Sequence, residues 1–206
     1  MDYLKYTQLR EKSLYNIKKY ISNIITAKTY KLDQKLFVGL TYLSFLYKKN
    51  QSIDNIKFLI NNNFKVKDFK KLNYNQKISS KNIKLICSFL NELLIEFSEY
   101  IVDISQTFDE DTILAMALYA PSVRTISSDL VKTPENLSNL AIRLLDIEVD
   151  DVLLDMGAGA GSFLIEAAYK SDTKKLIGID YDENKFIIAY IRFKILGLNI
   201  NFYIDD

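Results

Sequence analysis

Three glycines alternate with small residues in the run Asp155-Met156-Gly157-Ala158-Gly159-Ala160-Gly161. Glycine permits a tight turn and lets a ligand approach the backbone closely. The apolar run Val152-Leu153-Leu154 precedes the loop and a helical pattern over 162–170 follows it. The first turn of such a helix carries N–H groups that have no partner inside the helix. A second acid, Asp180, stands 19 residues after Gly161, at the end of the next apolar run. A carboxylate at that place accepts hydrogen bonds from the ribose hydroxyls of an adenosine-containing cofactor.

The spacing discriminates between cofactors. A dinucleotide fingerprint, G-x-G-x-x-G, counted from Gly157 needs a glycine or alanine at 162, where Ser162 stands; counted from Gly159 it meets Leu164. Asp155, two residues before the first glycine, would repel a pyrophosphate. S-adenosylmethionine carries no phosphate, and its ammonium and sulfonium groups are cationic. The D-x-G-x-G-x-G run therefore favours S-adenosylmethionine over NAD.

The loop needs a scaffold, and the periodicity supplies one. Residues 1–131 read as a helical domain. Its expected helices run from Tyr3 to about Ala27, over Leu36–Lys48 (apolar nearly all round, hence central), over Asp54–Ile60 with Ser52 as N-cap, over Asn82–Ile104, and from Asp109 to Ala120, stopped by Pro121. The stretch 64–80 is polar and poorly periodic and reads as a loop. The acids Asp109-Glu110-Asp111 are expected to cap a helix, since acids suit the positive end of its dipole, and not to hold a metal.

The texture changes near residue 132. Thr133-Pro134-Glu135 reads as a helix start, with a hydroxyl cap and proline in the first turn. One apolar stripe follows, formed by Leu137, Leu140, Ala141 and Leu144. Val152–Leu154 is expected as a short buried strand, then a helix over Ser162–Lys170, a strand over Leu176–Ile179, and a helix over Glu183–Leu196 closed by Gly197. A last strand spans Asn201–Ile204. Strands joined by helices with short connections make a parallel unit. The expected class is α + α/β, with residues 132–206 forming a β-α-β-α-β part of a Rossmann-like sheet and leaving the first strand an open edge that invites self-association.

Composition narrows the chemistry further. The chain of 206 residues has no histidine, no tryptophan and one cysteine, Cys87. That excludes histidine-based nucleophilic triads, Cys/His zinc sites and an internal disulfide. The N-terminus is polar and the longest apolar run near the front is shorter than a membrane span, so the reading is cytoplasmic with no membrane partner. The net charge of +1 hides an asymmetry: residues 1–100 carry 18 Lys/Arg against 8 Asp/Glu, and residues 101–206 carry 9 against 18. No tight cluster of five or more basic residues appears, so solvated helix faces account for the lysines better than a nucleic-acid surface.

The runs T-P-E-N-L (133–137), D-M-G-A-G-A-G-S-F-L (155–164) and I-G-I-D-Y-D (177–182) resemble the amino-methylating adenine DNA methyltransferases, above all the modification subunit of type I restriction–modification systems. The resemblance implies a helical N-terminal domain ahead of a class I S-adenosylmethionine-dependent methyltransferase domain. It implies that Thr133, Asp155 and the loop residues Gly157, Ala158, Gly159 and Gly161 hold the methionine end. Asp180 would hold the ribose, Tyr181 would pack on adenine, and Asp205 or Asp206, with Asp206 preferred, would sit near the adenine amino group. DNA is the implied substrate, with specificity and restriction subunits as partners.

The catalytic motif of that family, (N/D/S)-P-P-(Y/F), is not in this chain, whose two prolines, Pro121 and Pro134, adjoin no other proline. The expectation is an N-terminal, cofactor-binding part of a longer methyltransferase, inactive by itself, with no catalytic and no metal-binding residue among these 206. Two rivals stand beside it: a protein-glutamine methyltransferase resembling the release-factor enzymes, which share the helical domain and the glycine loop, and a non-catalytic partner-binding module.

Overall fold

The computed structural model describes residues 3–11, 19, 33–63, 76–122, 133–171, 173 and 175–204. Nine α-helices and one three-stranded parallel sheet lie among them. In chain order these are α1 (Tyr3–Glu11), α2 (Gln34–Asn50), α3 (Ile53–Asn63), α4 (Gln76–Glu96), α5 (Ser98–Thr107), α6 (Glu110–Tyr119), α7 (Glu135–Leu145), β1 (Val152–Met156), α8 (Ser162–Lys170), β2 (Lys175–Asp180), α9 (Glu183–Leu196) and β3 (Asn201–Ile204). A single 3-10 turn, Ala120–Ser122, follows α6. Among the described residues no helix is long and apolar enough to cross a membrane.

The α/β unit has the architecture that its pattern predicts. The strands pair in the order β1-β2-β3, parallel, with Leu154 opposite Ile177 and Gly178 opposite Phe202. Side chains alternate between the two faces of a sheet. One face carries Leu153, Asp155, Leu176, Gly178, Asp180 and Phe202 and is covered by α8 and α9. The other carries Val152, Leu154 and Met156 of β1, all exposed. The expected buried first strand is therefore corrected: β1 is an edge strand with one apolar face uncovered.

Helix α9 is the middle layer. Every residue from Phe186 to Phe193 is buried, because the sheet lies on one side of the helix and α2 and α6 on the other. A helix apolar all round is stable only when enclosed in this way. Asp182 caps it, accepting from the Asn184 and Lys185 N–H groups, and Gly197 ends it in the left-handed conformation. Helix α2, the expected central helix, is enclosed likewise: Asp33 accepts from the Leu36 N–H at its start, and Phe37, Val38, Leu40 and Leu43 are fully buried. Lys35 donates to Asn184 Oδ1 at 3.2 Å, and one continuous apolar core runs from α2 to the sheet. The expected boundary near residue 131 falls in 123–132, outside the described residues.

Four local expectations are corrected. Helix α4 starts at Gln76, inside the stretch read as loop; residues 64–75 lie outside the described set. The helix expected over Asn82–Ile104 bends at Phe97, dividing into α4 and α5. The bond ladder continues through the bend, with Phe97 N–H on Leu93 O and Ile101 N–H on Phe97 O, both at 2.9 Å. The cause is tertiary, since Phe97 is fully buried. At the start of α7 Thr133 does not cap: Pro134 occupies the cap position, with no side-chain bond. In α1, Tyr6 and Leu9 turn inward while Leu4 is exposed. The rest of the helix expected to run to Ala27 lies outside the described residues, Lys19 excepted.

Helix α7 also reverses its expected face. Its leucine stripe points outward, with Leu137, Leu140 and Leu144 exposed, while Ser138 and Ile142 are buried. The docking chemistry explains this. Lys170 of α8, largely buried, donates to Asn139 Oδ1 and pairs with Glu166 at 3.3 Å and with Glu135 at 4.0 Å. A buried ammonium must be paired and hydrogen-bonded; Glu166 of α8 itself gives one partner, and Asn139 and Glu135 on the polar side of α7 give the others.

Candidate functional site

The glycine loop is fastened to the end of β2. Gly157 and Ala158 both donate their N–H groups to Ile179 O, at 2.9 and 3.0 Å. Gly159 donates to Asp180 Oδ2 at 2.8 Å, and Gly161 closes the turn on Ala158 O at 2.8 Å. All three glycines have positive φ: 145° at Gly157, 54° at Gly159 and 75° at Gly161.

Their surroundings differ. A Cβ on Gly157 would meet nothing within 4 Å, and one on Gly159 only Gly157 O at 4.0 Å. A Cβ on Gly161 would lie 2.5 Å from the Phe193 ring. The first two glycines border open space where a ligand could approach. The third is glycine because α8 starts against α9. Ala158, expected with them at the ligand, is buried.

Asp180 is 5 % exposed. Besides the Gly159 bond, its Oδ1 accepts from Asp182 N–H at 3.0 Å. It thus joins the end of β2, the glycine loop and the start of α9. Two backbone donors leave acceptor capacity on the carboxylate, which offers about four lone-pair sites. Asp155 lies on the same sheet face, and burial, then the neighbouring Asp180 carboxylate, push its carboxyl above the usual range. Two carboxylates side by side favour a cation between them.

The structure thus brings Asp155, Gly157, Gly159, Gly161 and Asp180 together at the C-terminal ends of parallel strands, the place where open α/β sheets bind ligands. Tyr181 follows directly. It is 70 % exposed, with the Lys185 ammonium 5.4 Å above its ring. Thr133 is exposed ahead of α7, and no described contact joins it to the loop. Asp205 and Asp206 lie outside the described residues.

Asp109 behaves as a cap, accepting from Thr112 N–H at 2.6 Å, while Glu110 and Asp111 pair with Lys49 and Lys5. Among the described residues no group of three or more acids and cysteines could hold a metal. A separate cleft of about 680 Å³ lies between α1, α7 and α8, beside the stacked rings of Tyr6 and Tyr169. Of its two cations, Arg143 and Lys170, the second is already engaged by Glu166 and Asn139.

One residue behind the loop has no counterpart in the motif reading. Arg192 of α9 is 2 % exposed. Its Nε donates to Ala117 O at 2.7 Å and its second guanidinium nitrogen to Leu118 O at 3.4 Å, both in the last turn of α6. Its first guanidinium nitrogen donates to Ala160 O and to Ser162 Oγ, the latter at 3.2 Å. The available signal is a lone charge, Arg192, inside the otherwise apolar run Phe186–Phe193.

No family model matches the chain, and neither a curated protein nor a solved structure matches it.

Proposed function

We propose that this chain is the N-terminal and cofactor-binding part of an S-adenosylmethionine-dependent DNA adenine methyltransferase of the restriction–modification type. The observation that carries the cofactor is the anionic end of the sheet: Asp180 holding the Gly159 N–H, with Asp155 beside it. Asp180 suits the ribose of any adenosine cofactor, so Asp155 decides between them: it would repel a pyrophosphate, whereas a sulfonium and an ammonium gain from it.

The donor set fits that ligand. Gly157 and Gly159 leave room for the methionine end, Asp155 faces its positive charge, and the remaining lone pairs of Asp180 take the ribose hydroxyls. Once bound, the cofactor supplies an electrophilic methyl group for an exocyclic amine. The chain's own residues bind and orient it. Acceptance of the amine belongs to a catalytic motif on further polypeptide. Among the described residues the β1 edge is open and the face at Val152, Leu154 and Met156 is exposed, which supports such a continuation, because parallel sheets are covered on both faces. The assignment of DNA as substrate, and of specificity and restriction subunits as partners, rests on the motif resemblance.

The test is titration calorimetry of the folded chain with S-adenosylmethionine and, separately, with NAD. Saturable binding of the first and none of the second is expected. A chain folded by circular dichroism that binds NAD, or that binds no S-adenosylmethionine at millimolar concentration, refutes the reading.

Asp155→Asn gives a second expected result, of opposite sign for stability and binding. Because the folded pKa is raised, folded Asp155 keeps its proton to higher pH than the unfolded chain does. Its ionisation therefore costs stability as pH rises from the ordinary carboxylate range through the raised folded value, and costs nothing below about pH 4. Asparagine should raise the thermal midpoint at pH 7–8 and leave it unchanged near pH 4. Loss of a charged partner should weaken S-adenosylmethionine roughly tenfold or more. A stability gain equal at both pH values would refute the assignment.

A further inference from the structure

We infer that Arg192 is a positioning residue, through which the last turn of α6 holds the glycine loop in its ligand-binding shape. The last carbonyls of a helix lack intrahelical partners and carry its negative dipole end. The Ala117 and Leu118 carbonyls of α6 are such groups, and a buried cation suits them. On its other side the guanidinium takes Ala160 O, between Gly159 and Gly161, and Ser162 Oγ, at the first position of α8. The fork geometry matters: Arg carries five donors in one rigid plane and can serve two elements at once, whereas a lysine ammonium is a single point on a flexible stem.

The loop needs an external clamp. Its three positive-φ glycines give it little stiffness of its own. Two of its N–H groups are tied to the sheet through Ile179 O and one to Asp180, while Ala160 O is held by Arg192. The helical half of the chain therefore contributes to the loop's geometry without touching the ligand. The loop readout below stands without the cofactor reading, and only the affinity readout rests on it.

The experiment is amide hydrogen exchange on the whole chain, wild type against Arg192→Lys, with S-adenosylmethionine affinity measured on the same samples. The Gly159 and Gly161 amides should exchange about tenfold faster or more in the variant, while the β1–β2 ladder amides change by less than about threefold. Affinity should fall by about tenfold. Unchanged loop exchange overturns the inference, and so does a uniform rise across loop and ladder, which would mark a residue that only stabilises the fold. Should Arg192→Lys fail to fold, Ser162→Ala replaces it, removing one loop-side acceptor alone. Faster loop exchange with an intact ladder supports the clamp, and unchanged exchange sinks it. A wild-type chain that binds no S-adenosylmethionine refutes the cofactor reading and leaves the exchange result to decide the role of Arg192.

Discussion

Gly161→Ala is expected to destabilise the chain by about 2–5 kcal/mol, more than the same change at Gly159. Two costs add at Gly161. Its φ of 75° places any L side chain in the left-handed region, at about 1–2 kcal/mol. The new methyl would also stand 2.5 Å from the Phe193 ring and 3.2 Å from the Ala189 Cβ, and overpacking of that kind costs about 1–3 kcal/mol. Phe193 has little room to yield, since it is buried and packs on Phe202 with ring centroids 6.0 Å apart. It also adjoins Arg192, so a shift of the ring disturbs the guanidinium that holds Ala160 O. At Gly159 the backbone cost of about 1–2 kcal/mol stands alone, because a Cβ there meets only one atom at 4.0 Å. Urea unfolding of both variants, followed by circular dichroism, measures the difference. Equal losses would mean that the contact between the α8 start and α9 is looser than described.

The contrast between these glycines marks the limit of what spacing reveals. The run Gly157-Ala158-Gly159-Ala160-Gly161 announces a loop between strand and helix, and the loop is there. Which glycine borders open space and which is squeezed by a neighbouring helix depends on Phe193, 32 residues away. The helices that start at Glu135, Ser162 and Glu183 were legible in the sequence, as their boundaries are local events: an Asp182 cap, a Gly197 stop, a proline ahead of Glu135. The bend at Phe97 was not, because it arises from burial of one ring and leaves both flanking hydrogen bonds intact.

Exposure was the least legible property. The stripe of α7 and the face of β1 are apolar by sequence, which ordinarily means inside, yet Leu144 is 75 % and Met156 80 % exposed. Periodicity tells which residues share a face, and what lies against that face is a separate fact. The polar face of α7 is recruited by Lys170, and the second face of β1 has nothing described upon it. The buried Arg192 shows the converse: a charge that periodicity would assign to solvent sits at the junction of helical and α/β parts, because two sets of carbonyls converge there.

Removal of the Asp180 side chain is the other change with a large expected effect. Asp180→Ala leaves the Gly159 and Asp182 N–H groups without their acceptor in a region closed to most water. Each orphaned buried donor costs about 1–3 kcal/mol; both of these are only partly buried, so a combined loss toward the lower end, about 2–4 kcal/mol, is expected. One term works the other way. Without the Asp180 charge, the Asp155 carboxyl loses one of the two influences that hold it above the usual range, and its titration, followed by NMR, should move down. Asp180→Asn separates hydrogen bonding from charge. It removes the same charge but keeps a single acceptor and turns donors toward the second N–H, so it should recover little of the lost stability while moving Asp155 as far as alanine does. Full recovery by asparagine would show that one acceptor suffices and that the loop and the start of α9 are not both held by this carboxylate. Little recovery, with Asp155 shifted alike in both variants, establishes the two-donor grip that gives the glycine loop its fixed place at the end of the sheet.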